Sequence, residues 1–74
     1  MKLHIFLSDD WRSAGKIDSP LRKISAIIGE ENKINLSYDS RSKIACYDLK
    51  EPADEDTMIK IMQLAHVIKA QYIQ

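Results

Sequence analysis

Residues 52–73 read PADEDTMIKIMQLAHVIKAQYI, and this stretch decides the predicted fold. Pro52 suits the start of a helix, and the period of the apolar residues extends that helix over about residues 53–73. At about 100° per residue, one stripe would face a core, and its members are Met58, Ile61, Leu64, Ala65, Ile68 and Tyr72. Carboxylates in the first turn suit the positive end of the helix dipole: Asp54, Glu55 and Asp56. We therefore predict that the chain ends in one long amphipathic helix.

Shorter elements follow one another closely upstream of this helix. Residues 2–7 alternate as a strand, and one face of it carries Leu3, Ile5 and Leu7. A Ser-Pro pair is typical of a helix start, so a helix is predicted over 20–28, and Gly29 ends it. Residues 33–38 and 43–49 are predicted to form a β-hairpin around a polar turn.

The register of this hairpin has two alternatives. An even loop pairs Leu36 with Ala45 and turns Tyr47 toward the core. A slip by one residue would turn Ile44 and Cys46 inward instead. We favour the even loop because it packs the larger aromatic ring against the core.

The order strand–helix–strand–strand–helix predicts one α+β domain over residues 1–74. A right-handed crossover would place the first strand beside the third, with the second at the far edge. We expect a two-layer β-α-β-β-α sandwich whose three-stranded sheet has both helices on one face. This arrangement resembles a ferredoxin-like sandwich that lacks its final strand. Small regulators of recombinase filaments share the element order, and the likeness extends to element order only.

The composition limits the classes of protein to which the chain can belong. Eleven Lys and Arg balance 11 Asp and Glu, and an apolar share of 45% indicates a folded domain rather than a disordered chain. A length of 74 residues excludes a large enzyme scaffold, and no apolar run approaches the roughly 20 residues that span a bilayer. The lone Cys46 and the lack of a secretory signal indicate a cytoplasmic protein. Met1 suggests an independent small protein, a size that fits regulators and inhibitors, including those of phages and mobile elements.

The residue types that carry catalysis are few and scattered. Nucleophilic catalysis needs a Ser or Cys beside an oriented base, but Cys46, His4 and His66 fall on different predicted elements. Metal sites need His, Cys or carboxylate ligands at tight spacings, which this sequence lacks. We therefore expect no enzyme activity, no cofactor and no metal site.

The predicted last helix carries more apolar surface than a monomer needs. The apolar residues outside its core stripe are Ile59, Met62, Val67, Ala70 and Ile73. The first strand would also have an open edge and would turn Phe6 away from the helices. The alternative is that the faces are displaced by one residue and these side chains belong to the core. Since contiguous apolar patches mark contact sites, we expect a homodimer or a larger protein partner.

Trp11 and Arg12 stand together in the connector after the first strand. Trp11 either closes the end of the core beneath this loop or is an exposed anchor, since Trp and Arg are enriched in binding hot spots. The expected partner-binding residues are Phe6, Trp11, Arg12, Ile59, Val67 and Ile73. The leading hypothesis is a small standalone interaction module that regulates or inhibits a larger protein and self-associates.

Nucleic-acid binding is the alternative function. Trp11 could stack on a base, and the nearby cations are Arg12, Lys16, Arg22 and Lys23. Non-specific binding depends on phosphate neutralisation, and a chain without net charge supplies little of it. We favour a solvated helix face for these cations.

Overall fold

Residues 1–73 form four β-strands and two α-helices, joined by short loops and one 3-10 turn. The computed structural model describes residues 1–73. The strands are β1 (Lys2–Leu7), β2 (Lys33–Asp39), β3 (Ile44–Leu49) and β4 (Val67–Ile73). The helices are α1 (Pro20–Ile28) and α2 (Glu55–Met62), and the 3-10 turn spans Trp11–Ala14.

All four strands form one antiparallel sheet in the order β2-β3-β1-β4. β1 therefore lies inside the sheet, where Leu3 faces Tyr47 of β3 on one side and Tyr72 of β4 on the other. The chain has an α+β fold, as predicted. The three-stranded sheet expected from the sequence is wrong, because a fourth strand pairs with β1.

One face of the sheet carries the core. Alternate residues of β1 and β3 are buried there: Leu3, Ile5, Leu7, Ala45, Tyr47 and Leu49. Ile24 of α1 and Ile61 of α2 are buried in the same cluster, so both helices cover this face. Tyr47 donates its hydroxyl hydrogen to the backbone oxygen of Leu21 at 3.0 Å, and burial raises the pKa of Tyr47 to about 12.

The β2–β3 hairpin has the predicted faces but a different register. Asp39 faces Ile44 across the loop 40–43. Leu36 consequently faces Tyr47 rather than Ala45, a shift of two residues. Because side chains alternate with a period of two, this shift leaves Leu36 and Tyr47 on the core face, whereas Ile34, at the register shift of β2, is exposed.

α1 begins where the sequence indicates, and α2 begins two residues later than predicted, at Glu55. Pro20 is the first residue of α1, and Gly29, with a φ of +90°, follows its last residue. Asp54 precedes α2, and its Oδ1 accepts a hydrogen bond from the backbone N–H of Thr57 at 2.7 Å. The Asp54 cap satisfies one backbone N–H of the first turn of α2, whereas the side chain of Ser19 makes no such bond to α1.

The long helix predicted over 53–73 is wrong, because α2 ends at Met62 and β4 follows. His66, with a φ of +72°, lies in the reversal between them. Most of β4 consists of β-branched or aromatic residues, which favour a strand once β1 is available for pairing: Val67, Ile68, Tyr72 and Ile73. Ile68 and Tyr72 are four positions apart, a spacing that fits one face of a helix and one face of a strand alike.

The additional strand also changes which strands lie at the edges of the sheet. We predicted an open edge on the first strand, and this prediction is wrong because β4 covers it. The two edges of the sheet are β2 and β4.

Candidate protein-interaction surface

Large apolar side chains are exposed on several elements, and more than half of them belong to α2 and β4. Among the described residues they are Met1, Ile17, Ile34, Ile59, Met62, Ile68 and Ile73. Three of these adjoin one another on α2 and β4, and we call Ile59, Met62 and Ile68 the α2–β4 patch. Ile73 pairs with Lys2, which places its side chain on the sheet face away from the helices. Because exposed apolar patches mark contact sites, the α2–β4 patch is the leading candidate surface.

Ile59 and Met62 share one flank of α2. They are three residues apart, and Ile61 between them points into the core. α2 packs against α1 and β4. β3 and β4 run parallel in one sheet, and the connection between two such strands is right-handed as a rule. In a right-handed connection, the flank of α2 that carries Ile59 and Met62 points away from α1 and toward the outer side of β4. These two helix residues therefore adjoin the edge strand.

Ile68 is exposed because β4 contains an irregularity. Phe6 of β1 faces Lys69 and the next residue, Leu7, faces Val67, so Ile68 has no partner in β1. A β-bulge of this kind leaves one residue out of the ladder. Ile68 is 68% exposed, the largest fraction in the α2–β4 patch.

Backbone hydrogen bonds show which way each residue of β1 points. The N–H of Leu7 donates to the oxygen of Lys43, on the β3 side, at 2.9 Å. The N–H of Ser8 donates to the oxygen of His66, on the β4 side, also at 2.9 Å. Since this direction alternates along a strand, the even-numbered residues of β1 bond toward β4.

The same alternation leaves β4 with an open backbone edge. The partners of the even-numbered β1 residues are Lys69, Gln71 and Ile73, which therefore direct their backbone groups inward. Ala70 and Tyr72 lie between them and direct their N–H and C=O groups away from the sheet. Such a row of unpaired groups is a template for another strand.

The opposite edge, β2, is better protected. By the same alternation, Leu36 and Tyr38 direct their backbone groups outward. The N–H of Leu36, however, donates to Oδ1 of Asn35 at 2.9 Å, and a register shift between Lys33 and Asn35 interrupts the strand. Along β4, no side chain of residues 1–73 accepts the N–H of Ala70 or Tyr72 in this way. Only β4 therefore presents consecutive outward groups that are ready to pair.

The sheet face away from the helices is mixed in character. Phe6 is half-buried there, and Nζ of Lys69 lies 4.5 Å from the centre of its ring. On the same face, His4 and Cys46 lie opposite each other on β1 and β3. The apolar atoms of this face are thus partly covered by a lysine.

Trp11 closes one end of the core beneath the loop, which was the first of its two predicted alternatives. It is 9% exposed, and its Nε1–H donates to the hydroxyl oxygen of Tyr38 at 2.8 Å. The guanidinium of Arg12 lies 5.2 Å from the Trp11 ring centre and 5.6 Å from that of Tyr38. The exposed member of the pair is therefore Arg12, and the Trp11 ring itself is covered.

The predicted partner-binding residues do not form one surface. Ile59 lies in the α2–β4 patch, whereas Ile73 lies on the sheet face opposite the helices. Phe6 lies on the sheet face opposite the helices, and Trp11 and Arg12 lie beside β2. The structure therefore divides the expected contact set into three places.

Two residues of β4 have exchanged their predicted roles. Val67, expected on an outer helix face, is half-buried against the core. Ile68, expected in the core stripe, is exposed. The outward backbone groups of Ala70 and Tyr72 were missed, and the signal that could have revealed them is the β-branched and aromatic content of residues 67–73.

The basic residues considered for nucleic acid are exposed: Arg12, Lys16, Arg22 and Lys23. Nζ of Lys23 lies 3.8 Å from Oδ1 of Asp18. The buried Trp11 ring is not available for stacking on a base. This segment offers cations without the aromatic platform that was expected beside them.

Ser8, Asp10 and His66 form a polar cluster before β4, but its geometry differs from a catalytic triad. Oγ of Ser8 donates to Oδ1 of Asp10 at 2.8 Å, and this bond is the main cause that lowers the pKa of Asp10. Both oxygens approach the same ring nitrogen of His66, Nδ1, at 3.2 and 3.4 Å. A triad needs them at opposite nitrogens, so this cluster ties the connector after β1 to the turn before β4.

Within residues 1–73, no group of three His, Cys, Asp or Glu side chains could hold a metal ion. No helix in that part of the chain is long and apolar enough to cross a membrane.

Comparisons with known proteins identify no relative of this chain. No protein-family model matches the chain, and neither a curated protein nor a solved structure matches it.

Proposed function

We propose that this chain is a small cytoplasmic interaction module, a regulator or inhibitor that binds a larger protein and associates with itself. The observation that carries the proposal is the concentration of exposed apolar side chains in the α2–β4 patch, beside an open strand edge. Binding through this side would occlude or bridge a surface of the larger protein. The lone Cys46 supports a reducing compartment.

The energy available from the α2–β4 patch is moderate. Its three side chains are already partly buried, so burial of their exposed parts would contribute roughly 2–5 kcal/mol, since full burial of one such side chain contributes about 1.5–3 kcal/mol. Micromolar affinity requires about 8 kcal/mol, after the cost of lost translational and rotational freedom. The patch therefore needs the hydrogen bonds of the β4 edge to reach useful affinity.

Affinity capture from host lysate tests this function with two isoleucine variants. Ile59→Asp puts a charge in the α2–β4 patch, and Ile17→Asp is the matched control because Ile17 is an exposed isoleucine in the connector before α1. We expect the wild-type chain and Ile17→Asp to capture the same protein, and Ile59→Asp to lose it. Equal capture by all three chains, or capture of no specific protein, would count against the proposal.

Nucleic-acid binding is the second candidate, because the exposed cations of residues 12–23 occupy one segment. Binding through phosphates would weaken steeply as salt is added. Titration of single- and double-stranded DNA and RNA at low and high salt, with Lys16→Glu and Arg22→Glu as variants, tests it. An absence of salt-sensitive binding at low ionic strength eliminates this candidate.

We also propose that the fold is ferredoxin-like, in a complete rather than a truncated form. The element order β-α-β-β-α-β and the position of β1 between β3 and β4 support this assignment. An experimental structure with another strand order would overturn it.

A further inference from the structure

We infer that the strand that pairs with the β4 edge is β4 of a second copy, antiparallel about a twofold axis at Ala70. This inference rests on the proposed function and names the partner in self-association. The two sheets would join into one sheet of eight strands, with the helices of both copies on the same face. The first copy would thereby cover its one unprotected edge.

The position of the axis follows from the backbone. In a hydrogen-bonded antiparallel pair, two facing residues exchange both of their N–H···O bonds. Ala70 directs its N–H and C=O outward and is the middle residue of β4 (Val67–Ile73), so it can face its own copy across a twofold axis. An axis at Tyr72 would leave only the end of the strand paired.

The side chains of β4 suit this register. The facing pairs next to the axis are Lys69 with Gln71 and Ile68 with Tyr72. The pairing ends there, because the β-bulge puts Val67 on the core face and Ile73 on the opposite one. No like charges lie opposite each other, whereas an axis moved to Lys69 would place two ammonium groups face to face and destabilise the pair. Ile68, which has no partner in its own sheet, gains an aromatic one.

The same pairing would cover the helix part of the α2–β4 patch. Strands lie about 4.8 Å apart, and α2 packs over β4, on the side toward α1. Because α2 contacts β4, the two copies of α2 would approach each other above the joined edge. Ile59 and Met62 would then fill the space between the two helices.

Sedimentation equilibrium over a wide concentration range tests the dimer with a matched pair of variants. Ile68→Lys places a charge at the β4 bulge, and Ile34→Lys places one at the exposed isoleucine beside the β2 register shift. We expect a reversible dimer that Ile68→Lys weakens about tenfold or more, because a buried isoleucine contributes about 1.5–3 kcal/mol. Ile34→Lys should leave the dissociation constant unchanged. A monomer up to the solubility limit, or equal effects of the two variants, overturns the inference.

Disulfide trapping tests the register, in a Cys46→Ser background. Lys69 and Gln71 of the two copies would form a non-hydrogen-bonded pair with Cα atoms about 4.5 Å apart, a distance that a disulfide spans. An equal mixture of Lys69→Cys and Gln71→Cys should therefore cross-link faster than either variant alone. Equal rates in the mixture and in the single variants would contradict an axis at Ala70.

The two proposals fail separately. A chain that captures a larger protein through Ile59 yet stays monomeric keeps the proposed function and overturns the β4 pairing. A chain that dimerises through β4 and captures no other protein keeps the β4 pairing and overturns the proposed function.

Discussion

The Nε1–H of Trp11 donates a hydrogen bond of 2.8 Å to the hydroxyl oxygen of Tyr38, and the two rings meet edge-on with centroids 5.1 Å apart. This contact ties the 3-10 turn after β1 to the edge strand β2. A single aromatic pair therefore joins two segments that are far apart in sequence and covers one end of the core.

Trp11→Ala should lower the free energy of unfolding by about 3–5 kcal/mol, because it removes a large buried side chain. That is a large part of the roughly 4–11 kcal/mol expected for a domain of this size. Tyr38→Phe should cost about 1–3 kcal/mol, since it leaves the indole N–H without its acceptor. Urea unfolding followed by circular dichroism measures both. A loss below about 1 kcal/mol for Trp11→Ala would show that the ring is not part of the core.

Ile59→Asp and Val67→Asp should behave differently, although both residues were assigned to one helix face. Ile59 is exposed on α2, so its substitution should leave the thermal midpoint nearly unchanged. Val67 packs against the core beside Leu7, so a buried charge there should unfold much of the chain. Thermal unfolding of both variants, measured at protein concentrations too low for dimers to form, checks this. Similar midpoints for the two would contradict the strand assignment of β4.

The free energy of unfolding should fall in acid, because three aspartates become protonated. Hydrogen bonds lower the pKa of each below 3.8, chiefly from the N–H of Thr57 for Asp54, the N–H of Arg41 for Asp39 and the hydroxyl of Ser8 for Asp10. Because the folded pKa is the lower one, their stabilisation is present above pH about 3.9 and is lost as the pH falls through the folded pKa. Asp54→Asn keeps a capping side chain and should reduce this dependence. An unchanged acid profile in that variant would exclude Asp54 as a contributor.

Proline substitutions should separate the inward from the outward residues of β4. Gln71→Pro removes an N–H that pairs with β1 and should destabilise the fold strongly. Ala70→Pro removes an outward N–H, where edge strands tolerate proline, and should cost less. Denaturant midpoints of the two variants provide the comparison. A greater loss for Ala70→Pro would reverse the assigned backbone directions.

Much of the first half of the fold could be predicted from local signals. The alternation of residues 2–7, the start of α1 at Pro20 and the inward face of Tyr47 depend on short-range patterns, and all three are confirmed. The C-terminal half was harder, because the four-residue spacing of Ile68 and Tyr72 fits one face of a regular helix and one face of a regular strand. Pairing with β1, a contact distant in sequence, decides between the two.

The candidate surface could likewise be predicted only where local sequence patterns determine it. Ile59 could be identified from its place outside the core stripe, because α2 really is a helix there. Ile68 could not, because its exposure depends on a bulge between β1 and β4 that no local pattern specifies. The open edge of β4 likewise exists only once the sheet has formed.

Amide hydrogen exchange of Ala70 and Tyr72, followed by NMR at increasing protein concentration, tests the pairing of the β4 edge most directly. The account predicts that both amides exchange rapidly in dilute solution and become protected as the concentration rises, while Gln71 is protected throughout. Exchange of Ala70 and Tyr72 at rates that do not change with concentration would contradict it.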